Sequence, residues 1–153
     1  MKKTKQCLDY VASHPDAVLT FSASNMVLNV HIDASYLTEL KAQSQAGGQF
    51  FLSDNSKDLT DNGAALNVAQ IIKNVMSSAA EAELGALFIN SHQAIPARKT
   101  IEELGHQQPP TPIQTDNTTV LGFVSKNLQP KVTKSVDMRY WWMQDRSDQK
   151  QFR

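Results

Sequence analysis

Between Met26 and Asp33 apolar residues recur at every second position: Met26, Leu28, Val30 and Ile32 alternate with Val27, Asn29, His31 and Asp33. A period of two matches the alternating faces of a β-strand and no helical period, so this stretch predicts a strand with one packed face. Asp33 closes it, on the face shared with Asn29 and His31. Two further strands are predicted close behind. Gln49-Phe50-Phe51-Leu52 follows a loop containing Gly47-Gly48, and Ala65 to Ile72 sets Leu66, Val68 and Gln70 against Asn67, Ala69 and Ile71. Ser53 to Gly63 reads as the polar connection between them.

The rest of the chain alternates. Residues 5–13 have helical spacing and end at the turn signal His14-Pro15-Asp16, and Ala17 to Phe21 predicts a short strand. A long helix is expected from Ser77 or Ser78, either one an N-cap, with Pro96 placed to kink or divide it before Leu104-Gly105 ends it. Pro109-Pro110-Thr111-Pro112 is an extended linker into a strand at Ile113-Gln114-Thr115. Asp116-Asn117-Thr118 opens a helix to about Lys126, and a last helix is expected from about Ser135 toward Gln149. Consecutive strands followed by alternating helix and strand predict an α/β fold with a mixed sheet and helices packed on it.

Bulk properties exclude several classes. At 153 residues the chain is the size of one domain. No apolar run approaches the roughly 20 residues of a membrane span, and polar residues interrupt any secretory core after Met1-Lys2-Lys3. One cysteine, Cys7, excludes an internal disulfide, and no Cys/His cluster has zinc spacing. The expected setting is cytoplasmic or nuclear rather than secreted. Net charge is zero but unevenly spread. Residues 126–153 carry seven Lys/Arg against three Asp, whereas 11–125 carry five basic and eleven acidic residues. A basic end beside an acidic centre suits a phosphate-contacting surface around a cation site, although a solvated face accounts for it as well.

Four carboxylates fall at the ends of elements: Asp33 after a strand, Glu81 or Glu83 in the first turns of the long helix, Asp116 at a strand-to-helix turn, and Asp137 at the start of the last helix. Element ends are where sites form in α/β folds. Carboxylates gathered in one place repel, and a hard divalent cation such as Mg²⁺ relieves that with oxygen ligation. Each also has a plain structural role: Asp116 as a cap, Asp137 against a helix dipole, Asp33 in an Asx-turn with Ser35. The helical wheel does not separate the glutamates. At about 100° per residue they lie about 80° to either side of the apolar stripe through Leu84 and Leu87.

The ordered set "VHIDASY" (30–36), "GGQFFL" (47–52), "SSAAEAELGAL" (77–87), "EELG" (102–105), "PIQTDNTT" (112–119) and "KSVDMRYWW" (134–142) resembles the ribonuclease H domain of copia-type LTR retrotransposon polyproteins. The resemblance covers about residues 26–146 and rests on the order and spacing of the motifs together. It implies a ribonuclease H-like fold, a five-stranded mixed sheet with three antiparallel then two parallel strands, flanked by helices. Residues 26–153 would be that domain, and residues 1–25 the end of the connection segment that joins it to reverse transcriptase, which would make the chain a piece of a longer polyprotein.

The resemblance further implies catalytic, metal-holding roles for Asp33, Glu83, Asp116 and Asp137. Glu83 is chosen because Glu83-Leu84-Gly85-Ala86 reproduces the superfamily's Glu-Leu-x-Ala. Two Mg²⁺ ions are implied, with Mn²⁺ as a substitute, and so is cleavage of the RNA strand of RNA–DNA hybrids to 5′-phosphate and 3′-hydroxyl ends. The partners would be the hybrid and the reverse transcriptase domain, in a virus-like particle or the nucleus. Ser35 and Asn117 are candidate contacts to the hybrid, and Lys134, Arg139 and Arg146 candidate phosphate contacts. Trp141-Trp142 reads as core packing ahead of a nucleic-acid contact. The chain departs from the family at Ser135, which replaces a histidine, and has no histidine in 107–153 to assist product release. A non-catalytic hybrid-binding module, or another nuclease of the superfamily such as an integrase or resolvase, are the rival readings.

Overall fold

The computed structural model describes residues 2–55, 62–117 and 134–153, with side chains for 4–55, 62–117 and 138–153. Their order is α1 (Lys2–Ser13), β1 (Val27–Glu39), β2 (Gln43–Ser53), β3 (Ala64–Ile72), α2 (Ala79–Glu103), β4 (Ile113–Gln114) and α3 (Lys134–Asp148). One mixed sheet runs β3-β2-β1-β4, antiparallel among the first three and parallel between β1 and β4. The fold is α/β, as the strand alternation predicts.

The expected five strands are four among the described residues. Ala17 to Phe21 forms no strand: among the described residues no partner strand runs beside it, and Val18 stands 84% exposed. On the outer side of β4 the chain's last residues make one parallel bridge, Thr111 to Phe152, supported by Thr111 N–H to the Gln151 carbonyl at 2.9 Å. A single bridge is too short to count as a strand. The helix expected from Asp116 to about Lys126 lies, from residue 118 on, outside the described residues.

β1 and β2 are longer than their apolar alternation suggests. They meet at Leu40-Lys41-Ala42, where Lys41 (φ 61°) and Ala42 (φ 53°) take the left-handed conformation without a glycine. Gly47 and Gly48 consequently lie inside β2 rather than in a loop, with Gly47 the register partner of Asp33. The β1 edge next to β4 is extended by a side chain. Gln108 accepts from Leu28 N–H at 2.9 Å and donates to the Met26 carbonyl at 2.8 Å, in place of a strand neighbour.

α2 covers one face of the sheet. Leu28, Val30 and Ile32 of β1, with Phe50 of β2, pack against Leu84, Leu87, Ala94 and Ile101 of the helix and Met143 of α3. A smaller apolar cluster joins Ala46 and Ile72 to Ala82 and Ala86. Truncating a fully buried Phe50 would cost roughly 3–5 kcal/mol. Pro96 does not divide the helix. It forfeits one intrahelical bond, but buried Ala94 before it and Ile101 after it hold both halves on the same core. The helix stops where expected. Gly105 (φ 97°) donates to Glu102 and His106 donates to Ile101, closing a Schellman motif.

Residues 4–20 are exposed throughout, so α1 contributes nothing to that core. The arm touches the body where Thr20 accepts from Gly63 N–H and where the Phe21 ring lies against Gly63. Among the described residues no helix is long and apolar enough to cross a membrane.

Candidate metal centre

Three of the expected carboxylates meet beside the middle of β1, just past the end of the short β4; Asp33 does not close its strand, because β1 runs on to Glu39 in the hairpin with β2. The parallel register pairs Val30 with Ile113 and His31 with Gln114, so three residues beyond each of the first pair Asp33 stands beside Asp116. Glu83, in the second turn of α2, reaches the same point from above. One carboxylate oxygen from each of Asp33, Glu83 and Asp116 lies within 4.8 Å of the other two. Asp33 and Asp116 are exposed, and Glu83 is only 8% exposed.

Glu83 is the unusual member. Its Oε2 is buried and has no hydrogen-bond partner. Burial raises its carboxyl above the ordinary glutamate value, the charges of Asp33 and then Asp116 raise it further, and the Ala34 backbone N–H pulls it part of the way back. The same N–H donates to Asp33 Oδ1 at 2.8 Å. A buried carboxylate with an orphaned oxygen, aimed at two others, costs free energy unless a proton or a cation is shared among them. Three hard oxygen donors suit Mg²⁺ or Mn²⁺, and nothing in the donor set favours a softer metal.

Glu81, two residues earlier, is spent differently. Ser78 is the N-cap (φ −152°, ψ 162°) and its Oγ accepts from Glu81 N–H at 3.2 Å. Glu81 Oε2 in turn accepts from Ser77 N–H at 2.7 Å. This is a capping box reaching back one residue further than usual. It occupies one carboxylate at the helix start and leaves the other for the sheet.

An open groove of about 400 Å³ runs past the centre, lined by His31, Ile32, Asp33, Gln114, Thr115 and Asp116. Of these, His31, Gln114 and Thr115 are absent from the sequence-based candidates. Two-residue spacing places His31 before Asp33, and Gln114 before Asp116, on the same face of the sheet. That signal was available in the strand alternation.

No protein-family model, no curated protein and no solved structure matches this chain.

The remaining candidates divide. Ser35, half-buried two residues past Asp33, accepts from Thr38 Oγ1 at 2.7 Å. Asn117, next to Asp116, donates its N–H to Thr115 Oγ1 at 3.2 Å. Arg139 and Arg146 sit away from the carboxylates on α3. Arg139 donates to Asn74 Oδ1 at 2.6 Å with its guanidinium 5.7 Å from the Phe88 ring centre. Arg146 lies 5.5 Å from the Trp142 ring and 3.6 Å from Asp145. Trp142 stacks on His92 at 4.2 Å and meets Phe88 edge-on, joining α3 to α2, whereas Trp141 is 63% exposed. Asp137 and Lys134 lie outside the residues whose side chains are described.

Proposed function

We propose that this chain is a divalent-cation-dependent ribonuclease H, hydrolysing the RNA strand of RNA–DNA hybrids, as its resemblance to the copia-type domain implies. One observation carries the reading: the buried Glu83 carboxylate, whose Oε2 has no hydrogen-bond partner among the described residues, converges with Asp33 and Asp116. The sheet order, three antiparallel strands with a parallel fourth beside β1, supports the reading because it agrees with four strands of the ribonuclease H-like arrangement.

In this reading Asp33, Glu83 and Asp116 hold the cation, and Asp137 completes the set that the resemblance implies for two ions. Such ions supply a water-derived nucleophile near neutral pH and stabilise charge on the phosphoryl and leaving oxygens. The chain's own contribution is placement. Asp33 and Asp116 present exposed oxygens at the groove, and Glu83 offers one from a dry position where its attraction for a cation is little screened. Ser35 and Asn117 flank the aspartates where 2′-hydroxyls of a shallow minor groove would pass. Lys134, Arg139 and Arg146 are the phosphate contacts of this reading. Its partners are the hybrid and a reverse transcriptase domain of the same polyprotein, in a virus-like particle or the nucleus.

The experiment is a substrate panel: a labelled RNA–DNA hybrid, duplex DNA and branched DNA, each in Mg²⁺ and in EDTA. Hybrid-selective, Mg²⁺-dependent cleavage leaving 5′-phosphates is expected. Cleavage of branched or duplex DNA instead would point to a resolvase- or integrase-like nuclease. Hybrid affinity that survives EDTA, with no products in Mg²⁺, would make the chain a binding module, a reading that the four carboxylates argue against and that Ser135 and the histidine-free stretch 107–153 leave open.

A further inference from the structure

Asn90 is fully buried on α2, seven residues or about two turns beyond Glu83 on the packed face of the helix. Its Nδ2 donates to the Ala86 carbonyl within the helix and to the Gly47 carbonyl of β2, both at 2.9 Å. These acceptors fix the amide's orientation, since a flip would set oxygen against both carbonyls. Oδ1 then rests on Gly48, where any Cβ would collide with the carboxamide. No hydrogen bond reaches that oxygen. A buried acceptor left unpaired costs about 1–3 kcal/mol, so an apolar residue would serve packing alone at least as well. The strand residue that Asn90 grips is the register partner of Asp33. A Cβ on Gly47 would stand 3.5 Å from the Asp33 carbonyl oxygen.

We infer that Asn90, seated on Gly48 and bonded to Gly47, is a positioning residue that sets the distance between Glu83 and Asp33 in the cation site. The inference rests on the cation site proposed above. Beside the Ala34 N–H that acts on the Glu83 carboxyl itself, α2 meets the sheet here through the apolar Ala46, Ala82 and Ala86, and such contacts resist separation more than sliding. The Asn90 bond is directional and crosses from the helix that carries Glu83 to the strand that pairs with Asp33. Mg²⁺ demands near-ideal octahedral placement and Mn²⁺ takes the same oxygen octahedron, whereas Ca²⁺ accepts six to eight ligands in flexible geometry. Loosening the lock should therefore weaken binding of the smaller ions first.

The test uses the full chain with Mn²⁺ as probe. Asn90→Ala removes the bond and opens a void above Gly48. Adding Gly48→Ala places a methyl in that void and restores packing without restoring the bond. The double variant should regain thermal stability, while its Mn²⁺ dissociation constant stays about tenfold above wild type, as for other residues that orient metal ligands. Affinity that recovers along with stability overturns the inference and leaves Asn90 as packing. Where the double variant stays unstable, the ratio of Mn²⁺ to Ca²⁺ affinity, measured cold on folded protein, decides: a fall supports the lock and an unchanged ratio overturns it. Wild type that binds no Mn²⁺ overturns the cation site itself, and the lock with it.

Discussion

The first two turns of α2 carry two glutamates in opposite circumstances. At the helix start Glu81 sits among backbone N–H groups and accepts one from Ser77. Two residues on, Glu83 is buried with an oxygen that has no partner among the described residues, facing two more carboxylates. The first arrangement lowers the free energy of the folded chain as it stands. The second raises it unless something positive arrives. Equivalent side chains two residues apart thus separate a capping role from the cation-holding role proposed for Glu83.

The largest effects should come from breaking the Glu83 side of that contrast. Glu83→Gln and Asp33→Asn should abolish Mg²⁺-dependent hybrid cleavage while leaving the fold intact by circular dichroism. A pH series sharpens the difference further. Unfolded Glu83 ionises near 4.5, and folded, metal-free Glu83 only at higher pH. Its contribution to stability is fully present below 4.5 and is lost as pH rises through the folded value. Metal-free protein should accordingly lose stability over that rise, Mn²⁺ should restore it, and Glu83→Gln should lack both responses in chemical denaturation. Ser78→Ala, which removes the cap on the Glu81 side, should cost about 1 kcal/mol of stability and leave metal affinity nearly unchanged. Smallest is Ala42→Gly at the β1–β2 tip, which relieves a left-handed non-glycine residue and should gain up to about 1 kcal/mol in thermal unfolding.

The tip also explains what the sequence concealed. Apolar alternation located the central strand and Asp33, and the Leu104-Gly105 stop was readable from turn chemistry. The hairpin was not, because Lys41 and Ala42 adopt positive φ where glycine or asparagine would announce a turn. Gly47-Gly48 announced a turn that does not exist. The missing side chain of Gly48 makes room for Asn90, a tertiary reason that no local pattern contains. Ala17 to Phe21 has strand composition, but among the described residues its backbone bonds to the body only once, from Gly63 N–H to the Thr20 carbonyl, and forms no ladder. For the glutamates a helical wheel gave a tie, since both flank the apolar stripe. The Ser78-x-x-Glu81 spacing held the resolving signal, but only once Ser78 rather than Ser77 is the cap.

The central claim is that Glu83, and not Glu81, joins Asp33 and Asp116 around a catalytic cation. Its most direct test is cleavage of a labelled RNA–DNA hybrid by Glu83→Gln and Glu81→Gln side by side, with Mn²⁺ affinity measured on the same preparations. Loss of cleavage and of Mn²⁺ binding in Glu83→Gln, with both kept in Glu81→Gln, is the predicted result. Full activity in Glu83→Gln with loss in Glu81→Gln would contradict it.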